Sequence, residues 1–331
     1  MFGKIFLWEY QPYLWAFWTA FLVTLFLTPQ WIKLALKHKI LDKPGGRKIH
    51  QEPIPLCGGL AIYAGFFIGV GVALLAVGGR PGFLPHKAAF SLTGLFLGLT
   101  LMLILGILDD RFALPAKIKL LGQIVIAFVF IHFGFSIDFI TRPFHGLIYL
   151  PEWLVILLSV FWLVGITNAI NLLDGLDGLL AGVSAISATL FFVVALMKGQ
   201  FMVALLMVAL AGCSLAFLRY NFNPARVFMG DTGSLFLGAA FASLSIMGAL
   251  KLTATVALAI PILIMGIPIL DTTFAIVRRF FKGQPIFQAD RGHLHHRLLR
   301  LGLSQRAAVL LIYAINILLG VLGVVLAFYG K

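Results

Sequence analysis

The chain has 331 residues, 61% of them hydrophobic and only 11% charged, with a mean hydropathy of +1.04. A soluble domain is about a quarter charged and has no core large enough for so much apolar surface, so a bilayer must act as solvent for most of it. In a soluble protein the net charge of +13 would suit nucleic acid; here it reflects membrane orientation and anionic ligands, and no nucleic-acid partner is expected.

Apolar runs fall at 13–36, 57–78, 88–108, 116–133, 152–170, 178–197, 200–219, 232–250, 253–277 and 307–328. At roughly 20 residues per span they predict an all-α, polytopic membrane protein of about ten transmembrane helices. The first run is too long for a signal-peptide core, and its basic cluster follows rather than precedes it, so it reads as a retained span. Small-xxx-small pairs such as Gly65/Gly69 suit helix packing in lipid. Cys57 and Cys213 stand far apart in apolar surroundings and predict neither a disulfide nor a metal site. The whole of 1–331 reads as one membrane domain, with 278–306 as a His/Arg-rich cytoplasmic loop within it.

The connections alternate between two sets. Segments 37–56, 109–115, 171–177, 220–231 and 278–306, with their flanking helix ends, hold eighteen of the twenty-five Lys and Arg residues. The positive-inside rule places this set in the cytoplasm and both termini outside. Nine of the twelve acids gather on the same side, leaving only Glu9, Asp138 and Glu152 on the other. The rule does not demand that. Acids interleaved with bases on one face point to a site that holds a metal cation and binds anions.

Five polar clusters make up this face. Where the third run ends stand Asp109, Asp110 and Arg111, adjacent carboxylates that resist ionising together unless a cation is near; Lys117, Lys119 and Gln123 follow on the same side. A solvated helix end is the bland alternative. In Asn168-Ala-Ile-Asn171-Leu-Leu-Asp174-Gly175-Leu-Asp177-Gly178, the first three polar residues recur every three positions, a stripe down one helix face. Such groups at a membrane boundary are functional by default, with a polar helix–helix seam as the alternative. In Asn221-Phe-Asn223-Pro-Ala-Arg226-Val-Phe228-Met229-Gly230-Asp231-Thr232-Gly233-Ser234, Asp231 is placed to N-cap the eighth span, at a helix end also suited to phosphate. Arg291-Gly292-His293-Leu294-His295-His296-Arg297 suits phosphate or sugar better than zinc, since no Cys is near and the spacing fits no structural zinc pattern. Arg47-Lys48-Ile49-His50-Gln51-Glu52 is basic and juxtamembrane, suited to anionic headgroups or to a reacting lipid phosphate. Asp271 is the one acid inside an apolar run, free to pair with a base or to line the site.

Taken together, in order, spacing and sidedness, these motifs resemble the polyprenyl-phosphate N-acetylhexosamine-1-phosphate transferase family, and most of all its bacterial undecaprenyl-phosphate N-acetylglucosamine-1-phosphate branch. The phospho-N-acetylmuramoyl-pentapeptide transferases usually carry three consecutive histidines and an aromatic-acidic pair, which His293-Leu-His295-His296 lacks; they remain the alternative within the fold. Ten spans match that muramoyl branch, whereas some N-acetylglucosamine members are assigned eleven.

The resemblance implies a Mg²⁺-dependent enzyme, with Mn²⁺ as a substitute, in the bacterial cytoplasmic membrane. It would transfer N-acetylhexosamine-1-phosphate from a UDP-sugar to undecaprenyl phosphate, release UMP and start a lipid-linked cell-envelope glycan. Asp109 would deprotonate or position the lipid phosphate, supported by Asp110. Asn171 and Asp231 would hold Mg²⁺, and Asp174 and Asp177 would make nucleotide or catalytic contacts. His293, His295, His296 and Arg297 would grip the diphosphate and sugar, with Asn168 and Asn221 on the nucleotide-sugar side. Arg47, Lys48, His50 and Lys119 would meet the lipid phosphate. Relatives of this fold form dimers, so a homodimer is expected. Direct in-line attack is favoured, and a phospho-aspartate at Asp109 stays open.

Rivals fit less well. A secondary transporter places ionisable groups near the midplane, where only Asp271 and His132 are candidates. A D-D-x-x-D prenyltransferase fails at Ala113. A CDP-alcohol phosphotransferase needs a longer spacing than Asp174-Gly175-Leu-Asp177-Gly178, and a scaffold has no need of five polar clusters on one face.

Overall fold

A computed structural model describes residues 2–42, 52–77, 86–142, 146–249, 259–281, 283 and 293–329. Arg47, Lys48, His50 and Arg291 lie outside the described residues. The chain is a bundle of helices: α1 (Phe2–Lys37), α2 (Gly59–Val77), α3 (His86–Phe112), α4 (Ala116–His132), α5 (Glu152–Leu173), α6 (Leu179–Met197), α7 (Phe201–Asn221), α8 (Gly230–Ala249), α9 (Ala259–Ile264), α10 (Gly266–Phe281), α11 (Leu294–Arg300) and α12 (Gln305–Tyr329). Among the described residues, two short antiparallel strand pairs interrupt the all-α expectation. β1 (Leu41–Asp42) pairs with β2 (Ile54–Pro55), and β3 (Phe139–Arg142) pairs with β4 (Gly146–Tyr149) in a register from Phe139↔Tyr149 to Arg142↔Gly146.

The protein is a multi-pass membrane protein. Seven of the described helices are long and apolar enough to cross a bilayer: α1 from Tyr10, α2, α3, α5, α6, α7 and α12. A spanning helix satisfies its own backbone groups and can therefore expose bare hydrocarbon; Trp18, Phe26, Phe161 and Leu318 point outward on these helices, each more than half exposed. The interior is built mainly from alanine, leucine and isoleucine, with phenylalanines such as Phe66, Phe217 and Phe236 among the largest buried side chains. α8 is the central helix, with every residue from 232 to 246 buried among α2, α3, α5 and α7. Surrounded on all sides, it has no lipid to face, and this is why its sequence is rich in Gly, Ala and Ser. Gly65 and Gly69 work as the small-xxx-small pattern predicts, letting α2 lie directly on Thr24 and Ala20 of α1.

The ninth apolar run, read as one span over 253–277, is corrected by the structure. Within its described part, from Ala259, it breaks at Met265 into α9 and α10. The cause is Pro268, which has no N–H to give the Ile264 carbonyl one turn earlier. Ser187 of α6 donates its hydroxyl to that carbonyl at 3.0 Å, and Asn316 of α12 donates to Ser187 at 3.1 Å. All three groups are buried, so the break is held by polar bonds from two neighbouring helices. Ser187→Ala orphans the carbonyl and is expected to lower unfolding free energy by about 1–2 kcal/mol, read from thermal melts in detergent.

Candidate active site

The C-terminal ends of α1, α3, α5 and α7 and the N-terminal ends of α2, α4, α6 and α8 meet at one end of the bundle. Backbone contacts fix their arrangement. Gly58 and Gly59 donate to the carbonyls of Phe228 and Met229 at 3.0 and 3.1 Å, and Phe228 donates back to Pro55 at 2.8 Å. The start of α2 lies so close to α8 that a Cβ on Gly59 would stand 2.2 Å from the Gly233 nitrogen, a separation only glycine permits.

The first turn of α8 is capped from another helix. Asp110 of α3 accepts the Asp231 N–H at 2.8 Å, the Thr232 N–H at 3.0 Å and the Thr232 hydroxyl at 2.6 Å. The expected N-cap role of Asp231 is therefore corrected, because Asp231 lies inside α8 and Asp110 already takes two of the orphan N–H donors of that helix. Gly230 stands at φ +71, and a Cβ there would meet an Asp110 oxygen at 2.4 Å. With its backbone held from behind, the Asp231 side chain turns the other way.

It turns toward Lys119. The Lys119 ammonium stands 2.6 Å from Asp109 Oδ2, 2.8 Å from Asp231 Oδ2 and 3.3 Å from Asn171 Oδ1. Asn171 donates its amide to Asp231 Oδ1 and, at 2.7 Å, to Ser234. Asp109 also accepts the Leu114 N–H at 2.8 Å and is buried, whereas Asp231 is 31% exposed. Two carboxylates, an amide and one ammonium from α3, α4, α5 and α8 thus form a compact knot with one negative charge in excess.

Two loops flank the knot. Asn221 ties them together, accepting the Gly178 N–H at 3.0 Å and donating to the Val227 carbonyl at 2.9 Å. Asp177 accepts from the Asn223 amide at 2.9 Å and the Ala225 N–H at 3.1 Å. Asp174 lies just past α5, and burial, with the negative charges of Asp231, Asp110 and Asp177, raises its carboxyl to about 8. A neutral acid with this origin is one that a nearby cation would ionise.

Asp110, Lys119, Asn171, Asp174, Asp177, Asn221, Asp231 and His296 line one cavity of about 1120 Å³. The other predicted residues among those described stand behind its wall or to one side. Asp109 backs the knot. Asn168 turns into the α4–α5 seam, where it exchanges amide hydrogen bonds with Gln123. Asp271, whose part the sequence left open, grips the histidine segment: its two oxygens meet His293 Nδ1 at 2.9 Å and the Leu294 N–H at 2.7 Å. His293 and His295 stack with centroids 5.8 Å apart, and His295 lies 4.3 Å from His296. Burial, then the neighbouring His296, pushes the His295 ring down to about 4, so it is neutral at pH 7 and wedges against Gly175. Arg297 sits 4.5 Å over the Phe274 ring. Asp42, Glu52, Asn223, Arg226 and Gln305 also line the cavity without having been assigned roles. Asn223 and Arg226 stood inside a recognised motif, but Gln305 carried no local signal.

Known proteins set this geometry in a family. The glycosyl transferase family 4 model matches residues 92–249, from within α3 to the end of α8. A probable undecaprenyl-phosphate N-acetylglucosaminyl 1-phosphate transferase of Bacillus subtilis is 42% identical over 94% of this chain and 84% of its own length. The decaprenyl-phosphate N-acetylglucosaminephosphotransferase of Mycolicibacterium smegmatis is 37% identical over 89% and 77%. A phospho-N-acetylmuramoyl-pentapeptide-transferase of Bacillus thuringiensis is 33% identical over 92% and 94%. A helical bundle with a charged cavity at one end, matched along nearly its whole length by such proteins, is a membrane-embedded transferase. More narrowly, the chain belongs to the polyprenyl-phosphate N-acetylhexosamine-1-phosphate transferase family.

Proposed function

We propose that the protein transfers N-acetylglucosamine-1-phosphate from its UDP donor to undecaprenyl phosphate, releasing UMP and starting a lipid-linked glycan of a bacterial cell envelope. The observation that carries this reading is the convergence of Asp231, Asn171, Asp174 and Asp177 with Lys119, Arg226 and His296 on one cavity at a helix-bundle end. Acids to hold a divalent ion, beside bases to hold phosphates, are what an anion-on-anion reaction needs. The bundle end bearing most Lys and Arg would face the cytoplasm of a bacterial inner membrane, where a nucleotide sugar is at hand, with both termini on the other side.

The donor set suits Mg²⁺, or Mn²⁺ in its place. Mg²⁺ takes one or two carboxylates and fills the rest of its oxygen shell with water and substrate phosphates. Asp231, 31% exposed toward the cavity, with the Asn171 amide oxygen, offers such a partial shell. Among the described residues no three His, Cys, Asp or Glu side chains are arranged to hold a metal by themselves. Bound there, the ion would neutralise charge on the diphosphate and its leaving group.

The chain's own residues account for the rest. A phosphate monoester has its second pKa near 6, so the lipid phosphate is already largely dianionic at neutral pH and needs no general base. Asp109 has one oxygen on Lys119 and the other on the Leu114 N–H. Its role is to hold Lys119, which favours direct attack over a phospho-aspartate. A lipid-phosphate oxygen bonds to the β-phosphorus as the bond to the bridging oxygen breaks, and UMP carries that oxygen away. Arg226 and His296, lining the cavity, are placed to take charge from the diphosphate, while Asp177 and Asn221 hold the two loops that shape its mouth.

Asp174 makes ion binding depend on pH. Its proton, retained up to about 8, is displaced when a cation replaces the repulsion of its neighbours. Mg²⁺ affinity is expected to rise with pH up to about 8 and then level off, with up to about one proton released per ion at pH 7. Calorimetry in buffers of different ionisation enthalpy reads this directly, and proton uptake would contradict it.

The reading is tested with purified protein, undecaprenyl phosphate, Mg²⁺ and a panel of UDP-sugars. UMP release requiring lipid, metal and UDP-N-acetylglucosamine is expected. Release with the muramoyl-pentapeptide donor alone would transfer the assignment to that branch, and no release with any donor would overturn it.

A further inference from the structure

Lys119 stands where a divalent ion would have to bind. Its ammonium lies within 3.3 Å of Asp109, Asp231 and Asn171 together. It is 15% exposed, so water screens it little. Without a cation at that point, Asp109 and Asp231 would face each other across a few ångströms, with Asp110 close behind the Asp231 backbone. A lysine side chain is a compact point charge on a flexible four-carbon stem, able to hold a position and to leave it.

We infer that Lys119 is a tethered stand-in cation. It fills the ion position while the nucleotide sugar is absent and yields it when the ion arrives with the diphosphate. This inference rests on the metal reading of Asp231 and Asn171. Two consequences follow for the chemistry. The resting site stays assembled without metal, because Lys119 supplies the positive charge that Asp109 and Asp231 require. Ion entry is coupled to donor binding, because Lys119 vacates Asp231 only when the diphosphate gives its ammonium a new anionic partner. Asp109, which Lys119 need not leave, keeps the displaced side chain within reach of the incoming phosphates.

The test is Mn²⁺ binding to the full-length protein in detergent, followed by the loss of the free-ion electron paramagnetic resonance signal, with and without UDP. In the wild type, UDP is expected to tighten Mn²⁺ binding by at least about tenfold beyond what UDP binds in solution. In Lys119→Met and Lys119→Gln, Mn²⁺ alone is expected to bind at least about tenfold more tightly than in the wild type, because one nearby positive charge is gone. UDP should then add little. The variants should also melt lower than the wild type without metal and recover more on adding Mn²⁺, a pattern that separates an unbalanced site from a misfolded one. Equal Mn²⁺ affinity in wild type and variants would overturn the inference while leaving the metal reading intact. Weaker binding in both variants would instead make Lys119 an organiser of the site. No binding in any form, with or without UDP, would remove the metal reading and this inference with it.

Discussion

Asp231→Asn is expected to cut turnover about 10³-fold, the scale seen when one charge-stabilising group is lost from a transition state, with little change in melting temperature. The two effects separate for structural reasons. The Asp231 backbone N–H is bound by Asp110, and an Asn side chain in its place can still accept from Lys119 through its amide oxygen. Lys119 keeps its 2.6 Å contact with Asp109 when the Asp231 charge is removed, so no buried ammonium is stranded. What is lost is the carboxylate that faces the cavity. Mn²⁺ titration of activity, alongside a thermal melt, checks both parts. Normal turnover at low metal concentration would take Asp231 out of the site, and a large drop in melting temperature would make its side chain structural.

Asp110→Ala is expected to fail differently, losing both stability and activity. Asp110 alone accepts two backbone N–H groups and one hydroxyl at the start of α8. Losing a cap of this kind, with donors left unmatched, costs about 2–3 kcal/mol. α8 runs through the centre of the bundle and carries Asp231 on its first turn, so fraying there also displaces the side chain that faces the cavity. Misplacement by about 1 Å is enough to cost on the order of 10²-fold in rate. Chemical or thermal unfolding, run beside the transfer assay, checks the pairing of effects. A variant that melts normally yet is inactive would return Asp110 to a direct role with substrate.

The two aspartates look alike in sequence, and their different fates show where sequence reading stops. Apolar runs and the acidic motifs are local features: the long helices follow the runs, and eight of the thirteen described candidate site residues line the cavity. Partners across the fold are not local. The sequence around Asp231 reads as an N-cap, because nothing in it signals that Asp110 arrives from α3 to do that work. Asn168 shares a three-residue spacing with Asn171 and Asp174, but only the packing of α4 on α5 brings Gln123 to its amide. The break at Met265 is hidden by continuous hydrophobicity, since both halves are apolar. Pro268 was the available signal, and it also frees the carbonyl that Ser187 fills. Asp271 finds His293 through a contact twenty-two residues away, which no helical periodicity encodes. Lys119 reads as a lysine awaiting a lipid phosphate; its position among Asp109, Asp231 and Asn171 comes from four helices converging.

The central claim is that a sugar phosphate, and not a sugar, moves to the lipid. It is tested most directly with UDP-N-acetylglucosamine labelled with ³²P in the β-phosphate, incubated with purified protein, undecaprenyl phosphate and Mg²⁺. The account predicts that the label passes to the butanol-extractable lipid, in equal amount with unlabelled UMP, and that Asp231→Asn slows the transfer about 10³-fold. Label left in the aqueous phase as UDP, with the sugar alone on the lipid, would contradict it.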